Sequence, residues 1–268
     1  MGKKSILAFL IFSLAVLKLI GLPFTVEGAE PVLPLSETYV PKLVNLQAEP
    51  ESIKIDVKRT AVIVIDMQNG FCSKGGMFDL LGLRDETVLN PVIEANKKVI
   101  EAARTAGMKV IYLRMGFRPD FSDDGGPKSP NPRKGSGAGP INNNPAWKGK
   151  LLVRGTWGWE IIDALKPREG DILVDKNRFS GFFNTDLDAI LRTHDIKYLA
   201  FIGIATNVCV ESTVRDAFHF EYWPIVISDG CARGGPPFVQ EAMLFNVKIH
   251  FGWVTTSGEF IKALKQVK

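Results

Sequence analysis

Three side chains with complementary chemistry each follow an apolar run. Asp66 closes the run Ala61-Val62-Ile63-Val64-Ile65, with Gln68 and Asn69 just after it. Lys176 closes Ile172-Leu173-Val174-Asp175, and Cys209 follows Tyr198 to Ile204 through Ala205-Thr206-Asn207-Val208 at the start of a helical pattern. An acid, an ammonium and a thiol so placed suit nucleophilic catalysis: Asp66 takes the thiol proton, Cys209 attacks, and Lys176 holds carboxylate and thiolate in register. A helix N-terminus and a nearby cation lower a thiol pKa, and a drop of about two units is worth roughly 2.7 kcal/mol. Backbone N–H groups of Ala205 and Cys209 are placed to receive a developing oxyanion. Taken singly, each residue has a plainer reading as a turn residue, a solvated lysine or a small buried hydrophobe.

The elements that position them alternate. Unbroken β-branched runs suit strands buried on both faces, as in a parallel sheet. Strands are expected at 61–65, 109–113, 172–174, 198–204, 224–227 and 247–254. Helices are expected at 88–106, closed by Gly107, and at about 158–166, 186–194, 207–220 and 236–245. Thr185 is the expected N-cap of the helix from Asp186. Such alternation predicts an α/β fold, a three-layer α/β/α sandwich around a mainly parallel six-stranded sheet. In sheets of this kind ligands bind beyond the carboxyl ends of the strands, where all three residues fall. Residues 116–150, rich in Gly, Pro, Ser and Asn, cannot hold regular structure for long; they read as a lid, a subunit contact or a mobile surface loop.

The segments TAVIVIDMQNGF (60–71), VDKNRFSGFFNTDLDAIL (174–191) and GIATNVCVESTVRDAF (203–218) resemble the isochorismatase-like cysteine hydrolases. GGPKSPN (125–131), SGFFNT (180–185), ATNVCVEST (205–213) and FNVKIHFGWV (245–254) are similar to the branch of that family that hydrolyses ureidoacrylate. The resemblance spans about residues 50–264. It implies a triad of Asp66, Lys176 and Cys209, a cis peptide between Ile204 and Ala205, and attack of the thiolate on a carbonyl carbon to give a covalent acyl- or carbamoyl-enzyme. It also implies a homo-oligomer. The nicotinamidase branch carries a metal site between the first two catalytic positions. The three histidines here, His194, His219 and His250, all lie outside that interval, so no metal and no cofactor are expected.

The expected activity is hydrolysis of a C–N bond in a small ureido or linear amide compound. The alternatives are biuret or an N-carbamoyl amino acid as substrate, or a non-catalytic binding member of the fold. Gln68, Asn69, Arg114, Phe179 and Asn184 are candidate pocket residues; Arg114 suits a substrate carboxylate or a surface ion pair. Phe182 and Phe183 are expected in the core.

The chain has 268 residues, 46% hydrophobic and 23% charged, with a net charge of +4 that is spread rather than clustered. That balance gives no support to a nucleic-acid partner. Lys3 and Lys4 precede an apolar run from Ile6 to Leu17, which is short for a bilayer span and suits a secretory signal cleaved before Ala29. The protein is therefore expected to be exported, periplasmic or secreted, and free of the membrane after cleavage; Lys18 leaves an uncleaved anchor open. Residues 29–58, with Pro31, Pro34, Pro41 and Pro50, read as a linker or surface wrap ahead of a hydrolase domain at 59–268. Cys72 and Cys231 are expected either as free, partly buried thiols or, in an oxidising compartment, as a disulfide.

Overall fold

Six short apolar runs become the strands of one sheet because each carries side chains that need cover on both faces. In the computed structural model, which describes residues 39–134, 144–147 and 152–266, a two-stranded hairpin comes first, β1 (Leu43–Leu46) and β2 (Ile53–Asp56). It is followed by β3 (Thr60–Ile65), β4 (Lys109–Met115), β5 (Ile172–Lys176), β6 (Tyr198–Ile204), β7 (Trp223–Ala232) and β8 (Trp253–Thr255). The six-stranded sheet has the order β5-β4-β3-β6-β7-β8, and every neighbouring pair is parallel. The expected signal segment, 1–28, lies outside the described residues. The chain divides after Val40, and the fold described is that of Pro41 onward.

Alternation along β3 sorts the core into two layers. Val62 and Val64 face one cluster, and Ala61, Ile63 and Ile65 face the other. The first layer is covered by α1 (Glu86–Ala106), the hairpin and the last helix; the second is covered by α2 (Leu187–Thr193), α3 (Glu211–His219) and α4 (Pro237–Asn246). The last helix, α5 (Ser257–Leu264), returns to pack on α1. This is the expected three-layer sandwich. In α1, Asp85 accepts from Thr87 N at 2.9 Å, and Gly107 ends the helix at φ +81°.

Several local expectations are corrected. Residues 43–56 are not a linker, because Val44, Leu46, Ile53 and Ile55 are buried in the first layer, each contributing about 1.5–3 kcal/mol. The hairpin loop is tied to β8 by reciprocal Glu49–Val254 backbone bonds of 2.8 and 2.9 Å. Residues 247–251 form a wide helical turn that extends α4, and only Trp253–Thr255 is strand. The stretch 158–166 holds two single 3₁₀ turns, Trp157–Trp159 and Asp163–Leu165, in place of a helix. Thr185 does cap α2, accepting from Leu187 N at 3.2 Å, although Asp186 occupies the N-cap position. Phe182 is buried and stacked on Phe220 and Tyr222, whereas Phe183 is 59% exposed. Cys72 and Cys231 are free thiols that lie in different core layers, on opposite sides of the sheet, and burial pushes each up to about 12.

The chain runs outward through β3, β4 and β5 and then crosses back to place β6 beside β3. The switch point of the sheet therefore lies between the ends of β3 and β6. Close approach there requires a glycine. Gly203 has φ +125°, and a Cβ on it would lie 2.1 Å from the Ile65 carbonyl oxygen. Gly203→Ala is expected to destabilise the fold by about 3 kcal/mol or more, read as a lowered urea midpoint; a shift below about 0.5 kcal/mol would contradict this packing.

Candidate active site

Asp66 leaves β3 in a left-handed conformation, φ +53°, which short polar residues tolerate better than β-branched ones. Its N–H donates to the Leu113 carbonyl at 3.0 Å, continuing the β3–β4 ladder by one residue. The Gly116 N–H likewise donates to the Lys176 carbonyl at 2.9 Å. Lys176 therefore ends β5 two strands away from Asp66, with the end of β4 between them, and its side chain spans that gap. Lys176 Nζ donates to Asp66 Oδ2 at 2.8 Å and to the Arg178 carbonyl at 3.2 Å. The two side chains are 0% and 1% exposed.

Cys209 comes from the other side of the switch point. After the cis Ile204–Ala205 peptide, the chain makes a wide π-turn, Thr206–Val210, before α3. Val210 N donates to the Ala205 carbonyl at 3.2 Å, an i→i+5 bond. This turn sets the buried Cys209 thiol beside Asp66 and Lys176, close enough for both to act on its charge. Asp66 Oδ1 is buried and makes no hydrogen bond among the described residues. Thr213, one turn further along α3, ties this turn to the segment after Lys176: its hydroxyl donates to the Cys209 carbonyl at 2.6 Å and accepts from Gly181 N at 3.0 Å.

The electrostatics differ from the sequence expectation for the thiol. Burial raises the Asp66 pKa, and Lys176 and Cys209 offset this only in part. Burial opposes charge on Lys176, but the Asp66 carboxylate and Cys209 outweigh it and keep the ammonium protonated. Burial and then the Asp66 charge push the Cys209 thiol above its ordinary value, and Lys176 recovers less than they add. The expected lowering by a helix N-terminus and a cation does not prevail. Burial thus favours the uncharged thiol, which lies beside an acid whose own pKa burial raises.

The pocket candidates divide. Gln68 is fully buried and fully engaged: its Nε2 donates to the carbonyls of Met115 and Trp159 at 2.9 and 2.7 Å, and its Oε1 accepts from Met115 N at 2.7 Å. It fixes the end of β4 and has no free group for a ligand. Asn69 donates to the Trp157 carbonyl at 3.0 Å and accepts from Ser73 at 2.7 Å. Arg114 pairs with Asp175 at 2.8 Å and stacks on Trp159 at 3.8 Å, which favours the ion-pair reading over a carboxylate site. Phe179 is half-buried against the second core layer. Asn184 lines a polar cleft of about 810 Å³ beyond the ends of β4 and β5, with Arg118, Arg154, Asn177 and Arg178. Asp66, Lys176 and Cys209 do not line that cleft. Its arginines escaped the sequence reading because they are scattered through the chain and converge only on folding. His194, His219 and His250 are exposed.

The charge balance gives a prediction with a definite sign. In Asp66→Asn, with its fold verified by near-UV circular dichroism, Lys176 acts on the thiol unopposed. The Cys209 pKa then falls and iodoacetamide labelling at neutral pH accelerates, on the order of tenfold per unit. Labelling that slows or stays unchanged would show that Asp66 does not set the thiol.

An isochorismatase domain model matches residues 60–259. Ureidoacrylate amidohydrolase RutB of Caulobacter segnis is 49% identical over 232 residues, covering 87% of this chain and 95% of that protein. Its counterpart in Rhizobium rhizogenes is 46% identical over 223 residues, or 83% and 90% of the two chains. Among solved structures, a cysteine hydrolase from Pseudomonas syringae pv. phaseolicola aligns with a TM-score of 0.68 at 34% identity, covering 84% of this chain and 98% of that one. N-carbamoylsarcosine amidase from Thermoplasma acidophilum aligns at 0.56 and 27% identity, covering 74% and 96%.

Proposed function

The chain belongs to the isochorismatase family, and from that membership and the buried Asp66–Lys176–Cys209 cluster we propose that it is a cysteine amidohydrolase cleaving a C–N bond of a small ureido compound, with ureidoacrylate as the leading substrate. The observation that carries the reading is a buried thiol beside a carboxyl group that a buried ammonium holds at 2.8 Å. The names of the relatives at 46–49% identity support the substrate class.

In this mechanism Asp66 takes the Cys209 proton as sulfur attacks the carbamoyl carbon. Negative charge develops on the carbonyl oxygen, where the N–H groups of Ala205 and Cys209 are the proposed donors. Asp66 then returns the proton to the departing nitrogen as the C–N bond breaks, leaving a thiocarbamate on Cys209. Water, deprotonated by Asp66, attacks that intermediate and frees the thiol. Lys176 stays charged throughout and compensates the carboxylate each time it forms. The Asp66–Cys209 pair works as a one-proton unit. Activity falls on the acid side where a second proton binds Asp66, above the usual carboxylate range, and on the alkaline side where the thiol loses its own.

N-carbamoyl amino acids form the second substrate class, favoured by the likeness to N-carbamoylsarcosine amidase. Incubation with ureidoacrylate is expected to yield ammonia and CO₂, with a transient adduct of carbamoyl mass on the intact protein. Cys209→Ser is expected to lose turnover by at least about 10³-fold. A variant that retains more than a tenth of wild-type turnover would overturn the nucleophile assignment.

We further propose that residues 1–28 direct export and that the mature enzyme is a homo-oligomer. Intact mass of the protein from the extracytoplasmic fraction is expected to correspond to a chain starting at Ala29. A chain retaining residues 1–28 there would refute cleavage.

A further inference from the structure

The cleft beyond β4 and β5 carries charge that the triad does not use. Three arginines line it, Arg118, Arg154 and Arg178, with Asp123, Asp175 and Asp186. Two of the acids are already taken: Asp175 by Arg114 at 2.8 Å and Asp123 by Arg154 at 3.4 Å. Asp186 remains, against Arg118 and Arg178, neither of which has an ion-pair partner among the described residues. Arg118 influences the exposed Asp120 only at longer range.

Arg178 is built into its place. Its Nη1 donates to the carbonyls of Asn177 and Asp123 at 2.6 and 3.1 Å, which leaves the other N–H groups of a half-buried guanidinium without an acceptor among the described residues. Asp123 organises the facing loop as well: its Oδ1 accepts from Arg118 N at 2.9 Å, and its carbonyl also accepts from Asn177 Nδ2 at 3.2 Å. Arg178 adjoins the buried cluster, because its carbonyl accepts from Lys176 Nζ at 3.2 Å. A guanidinium with unused, fixed donors at the mouth of a polar cleft matches a carboxylate.

We propose that Arg118 and Arg178 form the subsite for a substrate carboxylate, so that the enzyme acts on ureido acids in preference to uncharged ureas such as biuret. The inference rests on the amidohydrolase reading and narrows its substrate class. It also moves the anion-binding role from Arg114, which is occupied, to Arg118, three positions beyond the end of β4, and Arg178, two positions beyond the end of β5.

The test compares 3-ureidopropionate with propylurea, which carries a methyl group in place of the carboxylate. Binding is measured by calorimetry on Cys209→Ser protein, alone and combined with Arg118→Gln or Arg178→Gln, and turnover is measured with Cys209 intact. The acid is expected to bind at least about tenfold more tightly than propylurea, and that advantage is expected to shrink to about threefold or less in each arginine variant. Arg118 is exposed and makes no side-chain bond to the fold among the described residues, so Arg118→Gln keeps the test independent of folding. Equal affinity for the two compounds, or a preference that survives both substitutions, overturns the subsite. Hydrolysis of both compounds at equal efficiency would do the same while leaving the amidohydrolase intact. Arginine-dependent binding of the acid without any turnover would instead remove the amidohydrolase reading and keep the carboxylate site.

Discussion

The contact on which the site depends is the ion pair between Lys176 and Asp66, closed off from water on all sides. Removing two charges from solvent is costly, and their attraction compensates only when geometry is good and the remaining polar atoms have work to do. Here the ammonium also holds the Arg178 carbonyl, and the carboxyl group lies beside a thiol. Losing either partner would strand a charge in the core. That requirement fixes the register of β3, β4 and β5 at their ends, since the lysine must reach over β4 to meet the acid. The ladder bonds from Asp66 to Leu113 and from Gly116 to Lys176 hold that alignment. Gln68 reinforces it by gripping both backbone polar groups of Met115.

The same burial decides the protonation of the site. A thiolate exposed to Lys176 alone would be stabilised, but burial and the neighbouring acid together outweigh that effect. The cluster therefore keeps its thiol masked in the uncharged form. Masking of this kind restricts reaction with adventitious electrophiles, because a neutral thiol in a 4% exposed site is a poor nucleophile.

Sequence patterns revealed the central sheet because strands buried on both faces must be almost wholly apolar, and 61–65 and 198–204 are. The acid, lysine and cysteine stood out because each interrupts such a run at its carboxyl end. The hairpin at 43–56 was hidden by its surroundings: prolines at 41 and 50 bracket strands of only four residues. Residues 247–251 are apolar enough for a strand, yet they continue α4, and nothing local distinguishes the two outcomes. Gln68 and Arg114 have the side chains of ligand-binding residues, but their partners, Met115, Trp159 and Asp175, come from segments that only folding brings near. The arginine cleft shares that origin, drawing on residues 118, 154 and 178.

The two halves of the ion pair are 110 positions apart, and the thiol is supplied by the turn after β6, a strand that joins the sheet only after the chain has doubled back past its starting point. Closing loops of that length is slow compared with forming helices or hairpins. Helical signal can therefore recover during refolding while the cluster is still in pieces. Return of catalytic competence would then serve as a clock for the docking of β3, β4, β5 and β6, insensitive to the peripheral elements that assemble earlier.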